Sequence, residues 1–312
     1  MSDYLTFSVV VPTYNRAAFI ERTLQSVLAQ TYPHYEIIVV DDCSTDNTEE
    51  LLLPLINSGK IRFIRHDQNR ERGYSRNTGM EAATGDFLTL LDSDDLMYPN
   101  NLEDAAKYAQ ANPKSKFFYN LHELIDLAGN VVYRTKHPTQ KDQIKAIACG
   151  NFMSCIGEFM HREVYGQYRF DTDRVMSGTE DWDFWLRVLA KYRAGKIEKV
   201  NSGLTHHHGR SVNNLDIASL QTSLERIVRK IYDDPQLAAV YRPYFKQMEA
   251  NYLIYLAIQA NSGMIYETAL NYLRQAAAKD LSVVATRRFL RALQIALFKM
   301  NGVGAGQAEK AN

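Results

Sequence analysis

Three acidic residues follow an apolar run in the stretch "FLTLLDSDD", where Asp92, Asp94 and Asp95 come directly after Phe87–Leu91. Like charges a few ångströms apart repel each other unless a positive group lies among them. A strand end that carries Asp-x-Asp can hold a divalent cation such as Mg²⁺ or Mn²⁺, and Mg²⁺ completes its coordination with phosphate oxygens and water. The motif therefore fits either a metal–diphosphate site or a solvated acidic loop that begins the next helix.

Two further polar motifs follow apolar runs. Asp42, in "VVDDCST", can accept a hydrogen bond from the imide N–H of a pyrimidine, or it can form a turn with Ser44. In "VPTYNR", Pro12 ends the run because it has no amide donor, and Tyr14 can lie flat against a base. An ordinary turn between a strand and a helix could contain the same residues.

Basic residues precede the acidic motif in "QNRERGYSRN". Arg72 and Arg76 suit a diphosphate, because the guanidinium group presents a fork of donors to phosphate oxygens. A solvated helix start is the alternative for both.

Two motifs later in the chain carry further candidates. In "MSGTEDWDFWLRVL", Ser177 and Glu180 have the spacing of a capping box, and acids in the first turn stabilise a helix. In "GLTHHHGRS", His206 and His208 share one side of an extended chain and His207 points to the other. Both motifs fit either a structural or a functional role.

The elements that position these motifs alternate between strand and helix. Apolar, β-branched runs predict strands at Phe7–Val11, Glu36–Val40, Ile61–Arg65 and Asp86–Leu91, with helical patterns between them. This order predicts an α/β fold with a Rossmann-like, mostly parallel, doubly wound sheet. Ligands bind such sheets beyond the carboxyl ends of the strands, where the polar motifs lie.

The chain beyond the sheet becomes helical. We predict a sheet-containing domain over 1–213, with a first half at about 1–100 and a second half at about 101–213. An all-helical C-terminal extension is predicted over 214–300, and the small, polar segment 301–312 is predicted to be disordered.

Composition limits the function classes. The 312 residues carry a formal net charge of zero, which gives no field for nucleic acid. The three cysteines are too few for a disulfide framework, and no signal peptide or spanning apolar segment is evident. These features predict a cytoplasmic location.

Taken in order, the motifs "FSVVVPTYNRAAFIERTLQSVLAQTYPHYEIIVVDDCSTDNT", "RNTGMEAATGDFLTLLDSDD" and "GTEDWDFWLRV" resemble the family-two glycosyltransferases with a GT-A fold. The resemblance covers Phe7 to Ser211 and implies a catalytic domain for inverting transfer from a nucleoside-diphosphate sugar, with a nucleotide-sugar half at about 1–100 and an acceptor half at about 101–213. Uracil is the expected base, so UDP is the expected nucleotide, and guanine and thymine are the alternatives. Relatives often read NRG where this chain has "NRERG", a departure that bears on the phosphate role of Arg72.

The resemblance implies a role for each candidate residue. Asp181 is the general base and Asp94 the ligand of Mg²⁺ or Mn²⁺, while Glu180 and Trp182 lie on the acceptor side. The donor-binding residues are Pro12, Tyr14, Asp42, Arg72, Arg76, Asp92 and His208, and His208 reaches either the diphosphate or the metal.

These inferences predict a glycosyltransferase of EC class 2.4 that acts on a glycan or a lipid-linked acceptor. The basic and apolar helix "TRRFLRALQIALFKM" either lies on the inner face of the membrane or packs on neighbouring helices or a second subunit. Two alternatives stay open: a non-catalytic nucleotide-sugar scaffold, and a DxD phosphotransferase of the haloacid-dehalogenase type.

Overall fold

A computed structural model describes residues 4–135, 137–207 and 216–308, with side chains described as far as residue 299. The first half of the sheet is parallel, in the order β3-β2-β1-β4. Its strands are β1 (Phe7–Thr13), β2 (Tyr35–Asp41), β3 (Arg62–Arg65) and β4 (Phe87–Leu91), and the helices between them are α1 (Ile20–Leu28), α2 (Thr48–Asn57) and α3 (Glu71–Ala82). Strands β1 and β4 are buried along their whole length, as apolar runs in a covered parallel sheet require.

Beyond β4 the sheet becomes mixed, continuing in the order β8-β6-β9-β5 with β7 paired to β6. This half comprises β5 (Leu96–Met97), β6 (Phe117–Ile125), β7 (Val131–Arg134), β8 (Ile156–His161) and β9 (Gly195–Thr205), with the helices α4 (Asn101–Ala111), α5 (Gln143–Ala148), α6 (Arg162–Tyr165) and α7 (Glu180–Lys191). Strand β8 runs antiparallel to both β4 and β6, whereas β9 runs parallel to β6. The predicted parallel arrangement thus describes the first four strands, and β4 is the strand at which the pairing changes.

The sheet is held by an aromatic and aliphatic core. Phe7 contacts Phe87 and Phe159, with ring centroids 6.1 and 5.8 Å apart, and Phe118 stacks on Phe159. The two halves of the sheet therefore share one core around β4, which fixes the strand that carries the acidic motif.

The remaining helices are α8 (Ile217–Asp233), α9 (Pro235–Tyr241), α10 (Phe245–Ser262), α11 (Tyr266–Lys279) and α12 (Arg287–Ala308), and short 3₁₀ turns occur at Gln140–Asp142, Arg174–Met176, Arg242–Tyr244 and Leu281–Ala285. Helix α12 extends through residue 308, into the segment predicted to be disordered from 301. This segment has no proline to stop a helix, although its three glycines oppose one as its three alanines favour one. Among the described residues, no helix is both long and apolar enough to cross a bilayer.

The chain forms two compact units. One contains the residues up to Gln143 and the chain from Phe152 through β9, and the other contains Ile144–Asn151 and the helices from α8 onward. The domain boundary predicted at residue 213 stays a prediction, since it falls in 208–215, outside the described residues.

Candidate active site

The acidic motif after β4 is joined to the start of α7 by one arginine. Arg76, on α3, donates from Nη2 to Asp92 Oδ1 at 2.9 Å and from Nη1 to Glu180 Oε1 at 2.7 Å. The Arg76 side chain is only 3% exposed, and its guanidinium lies over the Phe170 ring. A positive partner for the acidic motif is thus supplied by the protein itself.

Arg76 is buried beside carboxylates, and its diphosphate role stays a prediction. Burial opposes its charge, but Asp92 and Glu180 outweigh that cost and raise the pKa of Arg76 well above its ordinary value. The sequence assigned Arg76 to the diphosphate, yet both of its terminal nitrogens are bound to carboxylates in this structure. Arg76 therefore links the acidic motif after β4 to the start of α7.

Arg72 is more open than Arg76. Its Nε lies 3.5 Å from Glu180 Oε1, and its side chain is 31% exposed. The neighbouring Gly73 explains the unusual "NRERG" sequence, because a Cβ there would lie 2.9 Å from the Asp171 carbonyl oxygen. Glu71 begins α3 with φ of 70°, a left-handed conformation, and accepts a hydrogen bond from Ser177. This close packing between the start of α3 and the segment before α7 helps to hold Glu180 in place.

Asp181 is half-buried at the start of α7 and has an unusual acidity. Burial raises its pKa to about 7, and the neighbouring Glu180 carboxylate adds to the rise. The Arg76 guanidinium and the Trp182 N–H oppose this shift, the latter by donating to Asp181 Oδ1 at 2.8 Å. A carboxyl group with this pKa can take up or release a proton near neutral pH.

Two residues predicted on the acceptor side are buried. Trp182 is 6% exposed and Glu180 is 3% exposed. The capping box considered as an alternative for Ser177 and Glu180 is not formed, because the helix begins after Thr179 and Glu180 Oε2 accepts from the Gly178 N–H. The buried Glu180 is bound to the two arginines of α3, so it orients the start of the helix.

Asp94 meets two cationic or potentially cationic groups. Its Oδ2 lies 3.3 Å from Arg16 Nε and 3.0 Å from His207 Nε2. His207 stacks on Phe19 with ring centroids 4.5 Å apart. The sequence pointed to His208, which lies outside the described residues, and missed both His207 and Arg16. The run of three histidines was the available signal in the sequence. It does not tell which of the three side chains points towards Asp94.

Asp42 has its own set of partners. It accepts from the backbone N–H of Arg70 at 3.0 Å, and its Oδ1 lies 2.8 Å from His66 Nδ1. The turn considered for Asp42 is formed by Asp41, which accepts from the Ser44 N–H at 3.1 Å. The predicted Asp42 therefore lies in a loop closed by β2, β3 and the segment before α3.

The ends of β1 and β2 meet where a base is expected. Asp42 N–H donates to the Thr13 carbonyl at 2.9 Å, and Asn15 Oδ1 accepts from the Thr45 N–H at 2.8 Å. Pro12 is buried in β1, whereas the Tyr14 ring is 42% exposed. The structure thus brings Tyr14 into the same group of loops as Asp42, with an open aromatic face.

Within the described part of the chain, no group of three or more His, Cys, Asp or Glu side chains is arranged to hold a metal ion. A magnesium site that is completed by diphosphate needs only one or two protein carboxylates. Asp94 is one carboxylate of this kind, and His207 Nε2 lies 3.0 Å from its Oδ2.

Comparison with known proteins identifies a family for the chain. The model of "Glycosyl transferase family 2" matches residues 8–169. A glucosyltransferase of Escherichia coli, the UDP-Glc:alpha-D-GlcNAc-diphosphoundecaprenol beta-1,3-glucosyltransferase WfgD, is 30% identical over 65% of this chain and 76% of its own length. The putative teichuronic acid biosynthesis glycosyltransferase TuaG of Bacillus subtilis is 29% identical over 59% of this chain and 72% of its own. An uncharacterized glycosyltransferase of Rickettsia felis is 29% identical over 74% of this chain but only 38% of its own length.

Solved structures share the fold. S. aureus TarS residues 1–349, in complex with UDP-GlcNAc, superposes with a TM-score of 0.63 at 18% identity, covering 87% of this chain and 90% of that one. The mannosyltransferase PcManGT from Pyrobaculum calidifontis, in complex with GDP-Man and Mn²⁺, gives a TM-score of 0.61 at 19% identity over 96% and 86% of the two chains. These similarities confirm the predicted α/β fold of the GT-A type with a helical C-terminal portion.

Proposed function

Because the chain belongs to glycosyl transferase family 2, as its motifs predicted, we propose that it transfers a sugar, with inversion, from a nucleoside-diphosphate sugar to a hydroxyl group of an acceptor. The observation that carries this proposal is the double contact of Arg76, which holds the Asp92–Asp95 motif and the start of α7 together. A donor at the first motif and a base at the second would then be neighbours.

The donor is expected at the ends of β1, β2 and β4. Tyr14 offers its exposed ring to the base, and Pro12 and Asp42 shape the loops around it. TarS has been solved with UDP-GlcNAc and PcManGT with GDP-Man, so relatives of this fold take more than one nucleotide. We propose a UDP-sugar, with Asp92 beside the ribose or the sugar and Arg72 supplying the accessible guanidinium.

A divalent cation, Mg²⁺ or Mn²⁺, would be held by Asp94 with an imidazole of the histidine run, His207 or the predicted His208. The contacts of Asp94 with His207 and Arg16 support a place for positive charge beside this carboxylate. When bound, the cation would supply positive charge against the departing diphosphate. PcManGT was solved with Mn²⁺, which supports this assignment.

Asp181 would act as the general base. Its carboxylate takes the proton of the acceptor hydroxyl as that oxygen bonds to the anomeric carbon, while the bond from this carbon to the diphosphate breaks on the opposite face. A positioned base contributes about 10²–10⁴-fold to such a step, and a pKa near the working pH suits it. The buried side chains of Glu180 and Trp182 would hold Asp181 in position.

The acceptor is proposed to be a glycan or a lipid-linked sugar. The name of WfgD states a diphosphoundecaprenol-linked acceptor, which supports the lipid-linked alternative. Helix α12 exposes Phe298, Leu290 and Leu297, at 73%, 49% and 42%. We propose a cytoplasmic protein whose α12 contacts either the inner face of the membrane or a second subunit.

The deciding experiment has two stages. Binding of UDP is measured by calorimetry with and without Mn²⁺, and release of UDP or GDP from a panel of sugar nucleotides is then followed by mass spectrometry. Metal-assisted binding with turnover of one donor is expected.

A non-catalytic nucleotide-sugar scaffold is the second candidate function, since a binder needs the same fold. Metal-independent binding with no turnover of any donor would favour the scaffold. The half-buried Asp181, with its raised pKa, favours the enzyme, because a binder has no need of a base.

A further inference from the structure

The C-terminal helices contain a cavity that has no role in the proposed sugar transfer. It has a volume of about 240 Å³ and lies between the last two turns of α10 and the first turns of α12. Ile258, Ala292 and Ile295 supply its apolar lining. Ser262 and Ile295 line it from exposed positions, so a ligand reaches the cavity from solvent without any movement of the chain.

Two arginines, Arg288 and Arg291, border this cavity. The last two turns of α10 have no acidic residue, and the segment 281–308, which contains α12, has four basic residues and no acidic one. Within the part of the chain that the structure describes, neither arginine forms an ion pair. The positive charge at the cavity is therefore not neutralised by the helices that form it.

The two helices that form the cavity are joined beside it by Asn261. This side chain is 8% exposed, and its Nδ2 donates to the Ala292 carbonyl at 2.9 Å. Phe289 and Ala296 are buried on the opposite side of α12. The cavity and its arginines are therefore held in place before any ligand binds.

The lining of the cavity indicates the chemistry of its ligand. Guanidinium groups bind phosphate oxygens through their fork of donors, and the aliphatic side chains suit the apolar part of an ester. Drug-sized ligands occupy roughly 300–1,000 Å³, so this smaller cavity suits a headgroup better than a whole sugar nucleotide. A phosphate ester of an apolar molecule matches these features.

The exposed side of α12 indicates the source of such an ester. Leu290, Leu297 and Phe298 are exposed on this helix together with Arg287 and Lys299. Apolar and basic side chains on one exposed helix surface are typical of helices that lie in the interface of an anionic membrane. A second copy of the chain fits less well, because a symmetric contact would bring two basic segments together.

We propose that the cavity between α10 and α12 binds the phosphate of an anionic glycerophospholipid. Arg288 and Arg291 donate to the phosphate, and the exposed apolar side chains of α12 lie at the boundary between headgroups and acyl chains. This inference goes beyond the proposed sugar transfer: it selects the membrane from the two surfaces proposed for α12 and adds a headgroup site. It is tested without any sugar donor.

The experiment measures how the full chain partitions onto vesicles of phosphatidylcholine, with and without phosphatidylglycerol as about a third of the lipid. Arg291→Gln is compared with Arg287→Gln, which removes the same charge from an exposed residue of α12 that does not line the cavity. Ser262→Phe fills the cavity without a change in charge. Its control is Ser262→Ala, which removes a hydroxyl that donates to the Ile258 carbonyl of its own helix. The Tm of each variant reports its folding.

The wild type is expected to bind the vesicles that contain phosphatidylglycerol and not those of phosphatidylcholine alone. Arg291→Gln should lower the partition coefficient by at least about tenfold, because it removes hydrogen bonds to a charged group. Arg287→Gln should lower it by no more than about fivefold, the effect of one basic residue near an anionic surface. Ser262→Phe should lower it by roughly tenfold although it adds an apolar side chain to the surface, and Ser262→Ala should leave it unchanged.

The inference is overturned if the wild type does not bind the anionic vesicles, if the two arginine variants weaken binding equally, or if Ser262→Phe binds as tightly as the wild type. If Ser262→Phe does not fold, the comparison of the two arginine variants decides.

Two further measurements identify a different occupant. A dimer in sedimentation velocity that Ser262→Phe dissociates would assign the cavity to a second copy of the chain. Calorimetric binding of glycerol phosphate without binding to vesicles would assign it to a soluble ester. Either result overturns the lipid assignment, whereas absence of donor turnover contradicts only the proposed function.

Discussion

Asp92 and Glu180 accept hydrogen bonds from the two terminal nitrogens of the same guanidinium, that of Arg76, at 2.9 and 2.7 Å. One carboxylate follows a strand of the parallel half and the other begins α7. The distance between the acidic motif and the start of α7 is therefore set by an ion triad in which Arg76 and Glu180 are buried and Asp92 is partly exposed. Each prediction below tests one part of this arrangement.

Arg76→Met is expected to lower the free energy of unfolding by about 3–5 kcal/mol, because it leaves two carboxylates without their buried partner. The double variant with Glu180→Gln should recover part of this loss, since the residues belong to one network. Urea denaturation of the four proteins measures the coupling. Arg187→Met, which breaks the ion pair with Asp183 on α7, is the control and should cost less because Arg187 is more exposed. Strictly additive effects of Arg76→Met and Glu180→Gln would contradict the network.

Asp181→Asn is expected to lower kcat by at least about 10²-fold while binding of the sugar nucleotide is retained, because it removes the proton acceptor but keeps the shape of the side chain. Steady-state turnover and calorimetry on the same preparation check both parts. Asp183→Asn removes a carboxylate from the same helical turn, and should reduce stability through its ion pair with Arg187 but keep catalysis. Wild-type turnover in Asp181→Asn would show that another group acts as the base.

The pH dependence of kcat should report the ionisation of Asp181. Since burial raises the pKa of Asp181 to about 7, kcat is expected to rise as the pH passes through about 7 and the carboxylate forms. The free energy of unfolding should change in the opposite direction. The folded-state pKa of Asp181 lies above the ordinary 3.8, so its contribution to stability is fully present below that pH and is lost as the pH rises through the folded-state value. Between pH 3.8 and about 7, the free energy of unfolding of the wild type should therefore fall relative to that of Asp181→Asn. Titrations of kcat and of unfolding in parallel test this, and a pH-independent kcat would refute the assignment.

Asp94→Asn and His207→Asn are expected to weaken the Mn²⁺-dependent part of UDP binding by roughly tenfold or more, because metal affinity depends on its ligands and their partners. Calorimetric titration with UDP in Mn²⁺ and in chelator separates that part from the rest. Asp67→Asn serves as the matched control, because its side chain is 77% exposed in an ion pair with Arg70. Equal UDP affinities for Asp94→Asn and the wild type in Mn²⁺ would exclude Asp94 as a ligand.

The parallel half of the fold could be predicted because its signals are local. Strands such as "FSVVV" and "EIIVV" are continuous apolar runs, and the helices between them repeat at helical spacing. The loops that follow these strands had to lie at one edge of the sheet, so the placement of Tyr14, Asp42 and Asp92 at that edge could be predicted, while their roles stay predictions. The family match added the order of the motifs.

The second half of the fold was harder to predict from the sequence because its signals are not local. Strand β8 places Gly157 and Glu158 inside "IGEFMH", and a buried acid is not part of an apolar strand pattern. The role of Arg76 depends on carboxylates far away in the sequence, which no spacing rule can pair. His207 was missed because the alternation of an extended chain shows which residues share a side but not which side faces Asp94.

Strand β4 has a parallel neighbour in β1 and an antiparallel one in β8. A shift of β4 would therefore move the parallel and the mixed strands together, because the rings of Phe7 on one side and Phe159 on the other pack on the same core.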